Sequence, residues 1–138
     1  MVTVDIVVFR EVGELELLVI RRKKQPFLGQ LALPGGFVDM DEDLLDAAKR
    51  ELGEETSLKG VPLEQLAAFG KPGRDPRGRN ISIVHVGILT DLSQVVKGGD
   101  DAEDAQWIAA RNPPRLAFDH LDILAKALEW FDSRGESK

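Results

Sequence analysis

The chain has 138 residues, 43% of them hydrophobic, a formal charge of −6 and no cysteine. That size suits one compact domain over residues 1–138, with no room for a second of ordinary size. The negative charge repels nucleic acid and anionic membrane, so neither is expected as a partner, and the missing thiols exclude disulfides, thiolate zinc sites and cysteine nucleophiles.

At the amino terminus, residues 1–10 carry Asp5 and lack a basic region followed by a signal-length apolar run. No later run approaches membrane-spanning length, so a soluble, cytoplasmic protein is expected. Residues 2–9 and 15–20 are dense in β-branched and apolar side chains around the turn-like Val12-Gly13-Glu14. They predict two neighbouring strands covered on both faces. A basic stretch, Arg21-Arg22-Lys23-Lys24-Gln25, and then Pro26-Phe27-Leu28-Gly29 read as a loop feeding a short strand that ends at Pro34-Gly35-Gly36. From 41 to 56 the period becomes helical, with Leu45, Ala48 and Leu52 on one face and Asp41 or Asp43 as the cap. Residues 66–69 predict a short strand, 71–79 a loop punctuated by Pro and Gly, and 81–89 a long covered strand. An acidic turn at 98–104, a short strand around Trp107 and a helix over 119–133 complete the chain, the helix striped by Leu121, Leu124, Leu128 and Phe131. Strands before, between and after two helices predict an α/β fold, a mixed sheet with helices on both faces.

Within Arg50-Glu51-Leu52-Gly53-Glu54-Glu55 three carboxylates stand at i, i+3 and i+4. At about 100° per residue they share roughly a third of the helix circumference. Three like charges on one face are costly unless solvent or a hard divalent cation relieves them, and Mg²⁺ commonly uses one or two carboxylates, waters and substrate phosphate. A solvated acidic face is the plain alternative. The surrounding grammar decides between them. Gly36, Glu42 six residues on, Arg50 eight further, then Glu51, Glu54, Glu55 and the aliphatic Leu58 reproduce the Nudix box, and the chain is identified as resembling that family. One position departs: Ser57 stands where the family has a Gly that ends the helix in a left-handed conformation, so the helix either stops there at a cost of roughly 1 kcal/mol or runs on toward Gly60.

The resemblance implies a Nudix-type α/β/α sandwich, a small-molecule nucleotide substrate and a Mg²⁺ cofactor, with Mn²⁺ as the alternative. It implies Glu51, Glu54 and Glu55 as metal ligands with the Gly35 carbonyl, while Arg50 and Glu42 orient those ligands through an ion pair. It also implies substitution at phosphorus by water, with a carboxylate taking up the proton. Asp101 and Glu103, in the acidic stretch before Trp107, are candidates for a further ligand or base, against the reading of a solvated turn.

Beyond the box, residues 25–38, 74–79 and 116–120 resemble both the ADP-ribose pyrophosphatases of the family and the Nudix domains of bacterial regulators that sense ADP-ribose. Arg74, Arg77 and Arg79 on a loop stiffened by Pro76 suit bidentate contact with phosphate or hydrogen bonds to ribose. The competing reading pairs Arg74 with Asp75. Phe27 is a candidate for stacking on adenine or for simple packing. His85, inside an apolar strand, reads as structural, and His120 as capping or packing. There is no Tyr, which lowers the dinucleoside polyphosphates as substrates.

Hydrolysis of ADP-ribose to AMP and ribose 5-phosphate is therefore the leading expectation. A nucleoside triphosphate pyrophosphohydrolase and a non-catalytic ADP-ribose sensor are the alternatives. The resemblance further implies a homodimer, with the first strands or the Trp130-Phe131 end of the last helix as its surface.

Overall fold

A computed structural model describes residues 1–99 and 102–136. The elements run β1 (Val2–Val12), β2 (Glu14–Arg22), β3 (Leu31–Ala32), β4 (Gly35–Phe37), α1 (Leu44–Thr56), β5 (Glu64–Phe69), β6 (Ile81–Ile88), β7 (Ala102–Ala109) and α2 (His120–Glu136). β1 and β2 form a hairpin in which Val12 faces Glu14 across Gly13, whose φ of 77° is the left-handed conformation that only glycine adopts freely. β1 then pairs in parallel with β6, whereas its contacts with β2 and β4 and those of β5 with β6 are antiparallel. The sheet is mixed, in the order β3-β2-β1-β6-β5, with β7 joining β2 and β4 joining β1.

Alternation along β1 builds the two halves of the core. Val4, Ile6 and Val8 pack with Ala47, Ala48 and Leu52 of α1, while Val7 and Phe9 pack with Ile123, Leu124 and Ala127 of α2. One helix therefore covers each face, the α/β/α arrangement expected. The middle of β1 and β2 is buried between the two helices, and what these strands expose is Val2 and the hairpin end, Glu11 to Glu14. The acidic stretch is also shorter than a turn over 98–104, since β7 already begins at Ala102.

Most of each stripe read from sequence faces the core, Ala48 and Leu52 in α1 and Leu124, Leu128 and Phe131 in α2, and only the first residue of each stripe does not. In α1 the buried residues are Ala47, Ala48, Leu52, Glu55 and Thr56, and Leu45 is exposed. In α2 the buried face is Ile123, Leu124 and Ala127, with Leu121 exposed. Small alanines at 47, 48 and 127 allow close approach to the sheet beside the larger Leu52, Ile123 and Leu124.

The ends of α1 fix where its carboxylates point. Asp43 caps it in extended conformation, its side chain accepting from Leu44 N at 2.7 Å. At the other end Ser57 adopts φ 70°, and its N–H closes on Gly53 O at 2.9 Å. The helix thus stops in the left-handed turn that the family pattern assigns to Gly, at a cost of about 1 kcal/mol for a non-Gly residue.

Candidate active site

Where β1, β4 and α1 meet, the chain approaches itself closely. A Cβ on Gly36 would lie 2.5 Å from Cδ of Glu51, and one on Gly35 would collide with Val4 O and the Asp5 carboxylate. Only glycines let the strand end lie this near the helix. Gly35 N–H donates to Glu55 Oε1 at 2.9 Å, which fixes that carboxyl against β4.

Arg50 organises the rest of the helix face. Its Nε and Nη2 fork onto the two oxygens of Glu42 at 2.6 and 2.9 Å. Its Nη1 reaches Glu51 Oε1 and Glu54 Oε1, each at 2.9 Å, and Nη2 also donates to Phe37 O at 3.1 Å. Glu42 in turn accepts the Asp39 N–H at 3.0 Å. These bonds hold Glu42 below the usual carboxylate range, the hydrogen bond from Arg50 contributing most.

Glu55 is different. It is 4% exposed, and burial, together with the negative charges of Glu51 and Asp5, pushes its pKa up to about 8 against the pull of Gly35 N–H. Burial also raises Glu51, opposed by Arg50, and the two carboxyls share a hydrogen bond. Near neutral pH the pair retains a proton that a cation would displace.

Glu51, Glu55, Gly35 and Gly36 line a cleft of about 280 Å³. Glu54 does not line it; Arg50 holds it on the neighbouring side of α1, and it is the more exposed carboxylate. Among the described residues no three Asp, Glu, His or Cys side chains stand ready to enclose an ion. A buried carboxyl and a half-buried one beside a glycine cradle nevertheless suit a hard cation that completes its shell with water and phosphate.

The same cleft is lined by Arg77, Arg22 and Lys24, by Phe37 and Phe118, and by Asp5. Arg77 is held by Asp75, its Nη2 2.7 Å from Oδ2 and its backbone N 2.9 Å from Oδ1. Burial works against ionisation of Asp75, but the bonds from Arg77 and Asn80 outweigh it and bring its pKa down to about 2. The Arg77 guanidinium lies 5.0 Å from the Phe37 ring centre and 5.4 Å from that of Phe118.

The other arginines of this loop behave differently. Arg74 borders the cleft, but its guanidinium forks onto Asp119, not onto Asp75 and not into free space. Arg79 lies outside the cleft lining, its carbonyl accepting from the amino terminus. Phe27 packs edge-on against Phe118 at 4.7 Å, behind the lining. Asp101 lies outside the described residues, and Glu103 is described only as part of strand β7. His85 is buried in β6 as expected, while His120 neither caps nor merely packs, since its Nδ1 accepts the Leu33 N–H at 3.0 Å.

Sequence reasoning missed Asp5, Arg22, Lys24, Phe37 and Phe118. Asp5 had a signal, being the one charge in the run 2–9. The others come from separate segments that only the fold brings together.

The chain matches the NUDIX domain over residues 1–131. It belongs to the Nudix family. It is 44% identical to the ADP-ribose pyrophosphatase of Methanocaldococcus jannaschii, over 83% of this chain and 67% of that protein. It is 34% identical to the ADPR responsive transcriptional repressor NtrR of Acinetobacter baylyi, over 92% of this chain and 52% of the repressor, so it spans about half the length of that relative. Among solved structures it resembles the NUDIX domain of Shewanella oneidensis NrtR complexed with ADP ribose, with a TM-score of 0.85 and 32% identity over 95% of this chain and 88% of that one. No helix among the described residues is long and apolar enough to cross a membrane.

Proposed function

We propose that this Nudix chain hydrolyses the pyrophosphate of ADP-ribose, giving AMP and ribose 5-phosphate, with Mg²⁺ and with Mn²⁺ as a second possible ion. The observation that carries the reading is one cleft holding both the Glu51–Glu55 pair and a cationic and aromatic set formed by Arg77, Arg22, Lys24, Phe37 and Phe118. The similarity to an ADP-ribose pyrophosphatase supports the choice of substrate.

Glu51, Glu55 and the Gly35 carbonyl are the groups that would hold the cation, with Glu54 available once Arg50 releases it. When bound, the ion would neutralise phosphoryl charge and lower the pKa of water. Arg50, anchored by Glu42, keeps the carboxylates in register. Arg77 would engage phosphate or ribose while Asp75 fixes its direction, and the aromatic rings suit a flat base. Arg74 and Arg79 drop from substrate contact to support of the loop. Asp101 and Glu103 stay as candidates for the base.

Turnover with Mg²⁺ against ADP-ribose, NADH, a dinucleoside polyphosphate and the nucleoside triphosphates, with products resolved, tests the reading. AMP released preferentially from ADP-ribose is expected; pyrophosphate released preferentially from triphosphates overturns the substrate. A second reading, an ADP-ribose sensor, is favoured by the similarity to a repressor, and tight ADP-ribose binding without turnover would establish it. The intact set of Glu51, Glu54, Glu55 and Arg50 weighs toward catalysis. The formal charge of −6 disfavours polyanions, so we keep small-molecule binding without nucleic acid or membrane as the partner reading. Electrophoretic mobility of DNA with the protein would check it. A cytoplasmic homodimer completes the proposal, with half-buried Trp130 and Phe131 of α2 as its surface, and light scattering decides the assembly.

A further inference from the structure

We propose that half-buried Asp119 and buried His120 form a joint at the start of α2 that positions both chemical poles of the cleft. The proposal rests on the reading of that cleft as a nucleoside diphosphate site and assigns a task to two residues, Asp119 and His120, that the reading leaves without one. Phe118, at φ 54°, turns the chain so that its own ring lines the cleft while the next two side chains point to separate partners. Asp119 accepts Arg74 Nε at 2.9 Å and Nη2 at 2.7 Å, and the Arg74 side chain is only 4% exposed. Arg74 begins the loop that presents Arg77, so this fork sets where the cationic pole stands.

His120 faces the other pole. Its Nδ1 accepts Leu33 N–H at 3.0 Å, which assigns the proton of the neutral ring to Nε2, 3.5 Å from Asp5 Oδ1. Asp5 also accepts Ser82 Oγ at 2.5 Å and lies opposite Gly35, the residue whose N–H holds Glu55. Leu33 leads by two residues into Gly35. Two adjacent side chains at the entry to α2 thus reference the Arg77 loop and the Glu55 strand to each other. α2 itself is fixed by Ile123, Leu124 and Ala127 in the core. Neither Asp119 nor His120 needs to touch substrate; they are positioning residues.

The test measures ADP-ribose kinetics for the full chain carrying Asp119→Asn, Arg77→Ala or both, alongside amide hydrogen exchange. Because Asp119 acts through the loop, Asp119→Asn should raise KM about tenfold, and the double variant should be no worse than Arg77→Ala alone. The Arg77 N–H, which bonds Asp75 Oδ1, should exchange faster in Asp119→Asn while the sheet keeps its protection. Penalties that multiply in the double variant, a loss confined to kcat, or unchanged exchange at Arg77 would each overturn the joint. Should Asp119→Asn not fold, Arg74→Lys removes the same fork and takes its place. If the wild-type chain proves not to act on ADP-ribose, the functional reading falls and the exchange measurement alone decides the joint.

Discussion

Arg50 and Glu42 meet through two parallel hydrogen bonds, and the guanidinium's remaining reach goes to Glu51 and Glu54. A single arginine therefore spaces the acidic face of α1. Lys in its place keeps charge but loses the fork. Arg50→Lys is expected to raise the Mg²⁺ concentration needed for half-maximal rate by roughly 10- to 100-fold, the usual range for residues that orient metal ligands. A Mg²⁺ titration of initial rates measures this, and an unchanged midpoint would remove Arg50 from the orienting role.

Glu55 is buried, tied to Gly35 N–H and next to Glu51. Glu55→Gln preserves its shape and still accepts that bond, while losing the charge a cation needs. The variant should fold normally by circular dichroism and lose roughly three orders of magnitude or more in turnover, a size consistent with removal of a charge at the reacting centre. Near-normal rates would sink the assignment of Glu55 as a ligand.

How far the sequence alone reached follows from what kind of information each feature needs. The box residues are local, so Gly36, Glu42, Arg50 and the glutamates of α1 are legible from spacing, whereas the sequence leaves the helix end open between Ser57 and Gly60 and the structure places it at Ser57. Which residue falls at the edge of a helix's core face is not local information. Hydrophobicity favours Leu45 and Leu121, but the sheet accepts Ala47 and Ala127, because the small residue permits close packing. Arg74 is the sharper case. Its neighbour Asp75 is the obvious partner in sequence, yet Asp119, 45 residues away, takes it, and Asp75 takes Arg77 instead. Charge pairing between distant segments leaves no periodic trace, and for the same reason Asp5, Arg22 and Phe118 were not recognised as cleft residues.

The raised pKa of Glu55 makes stability depend on pH in a definite direction. Its carboxyl has an ordinary value of 4.5 and lies at about 8 in the fold. Stability from the protonated form is fully present below about 4.5 and is lost as pH rises through about 8, because the unfolded chain ionises first. Without divalent cation the Tm should therefore fall between about pH 5 and pH 8, and Glu55→Gln should flatten that slope. Added Mg²⁺ should raise Tm more at the upper end, where less proton must be displaced, and EDTA should reverse the gain and abolish turnover. Equal Mg²⁺ stabilisation across that range in scanning calorimetry would argue that the cation binds elsewhere.

At the acid end Asp75 acts in the opposite sense. Its pKa is drawn down from 3.8 to about 2 by Arg77 and Asn80, so its contribution is present above about pH 4 and disappears as pH falls toward 2. Acid unfolding should begin at higher pH in Asp75→Asn, measured by fluorescence of the two Trp residues. An identical acid midpoint would mean that the Asp75–Arg77 pair does not stabilise the loop.

Arg77 is the one guanidinium of its loop that lines the cleft with a half-exposed side chain, 35% against 4% for Arg74. A triphosphate places its charge at one end of the nucleoside, whereas ADP-ribose carries two phosphates between two riboses and extends farther. If Arg77 engages that extension, Arg77→Ala should raise KM for ADP-ribose roughly tenfold or more, the loss of one charge-assisted contact, and alter KM for ATP much less. Asp75 would remain buried without its partner, so Tm should be followed in parallel to separate lost binding from a loosened loop. Equal KM effects on both substrates at unchanged Tm would assign Arg77 to the phosphates common to both and leave the choice of ADP-ribose to Phe37 and Phe118.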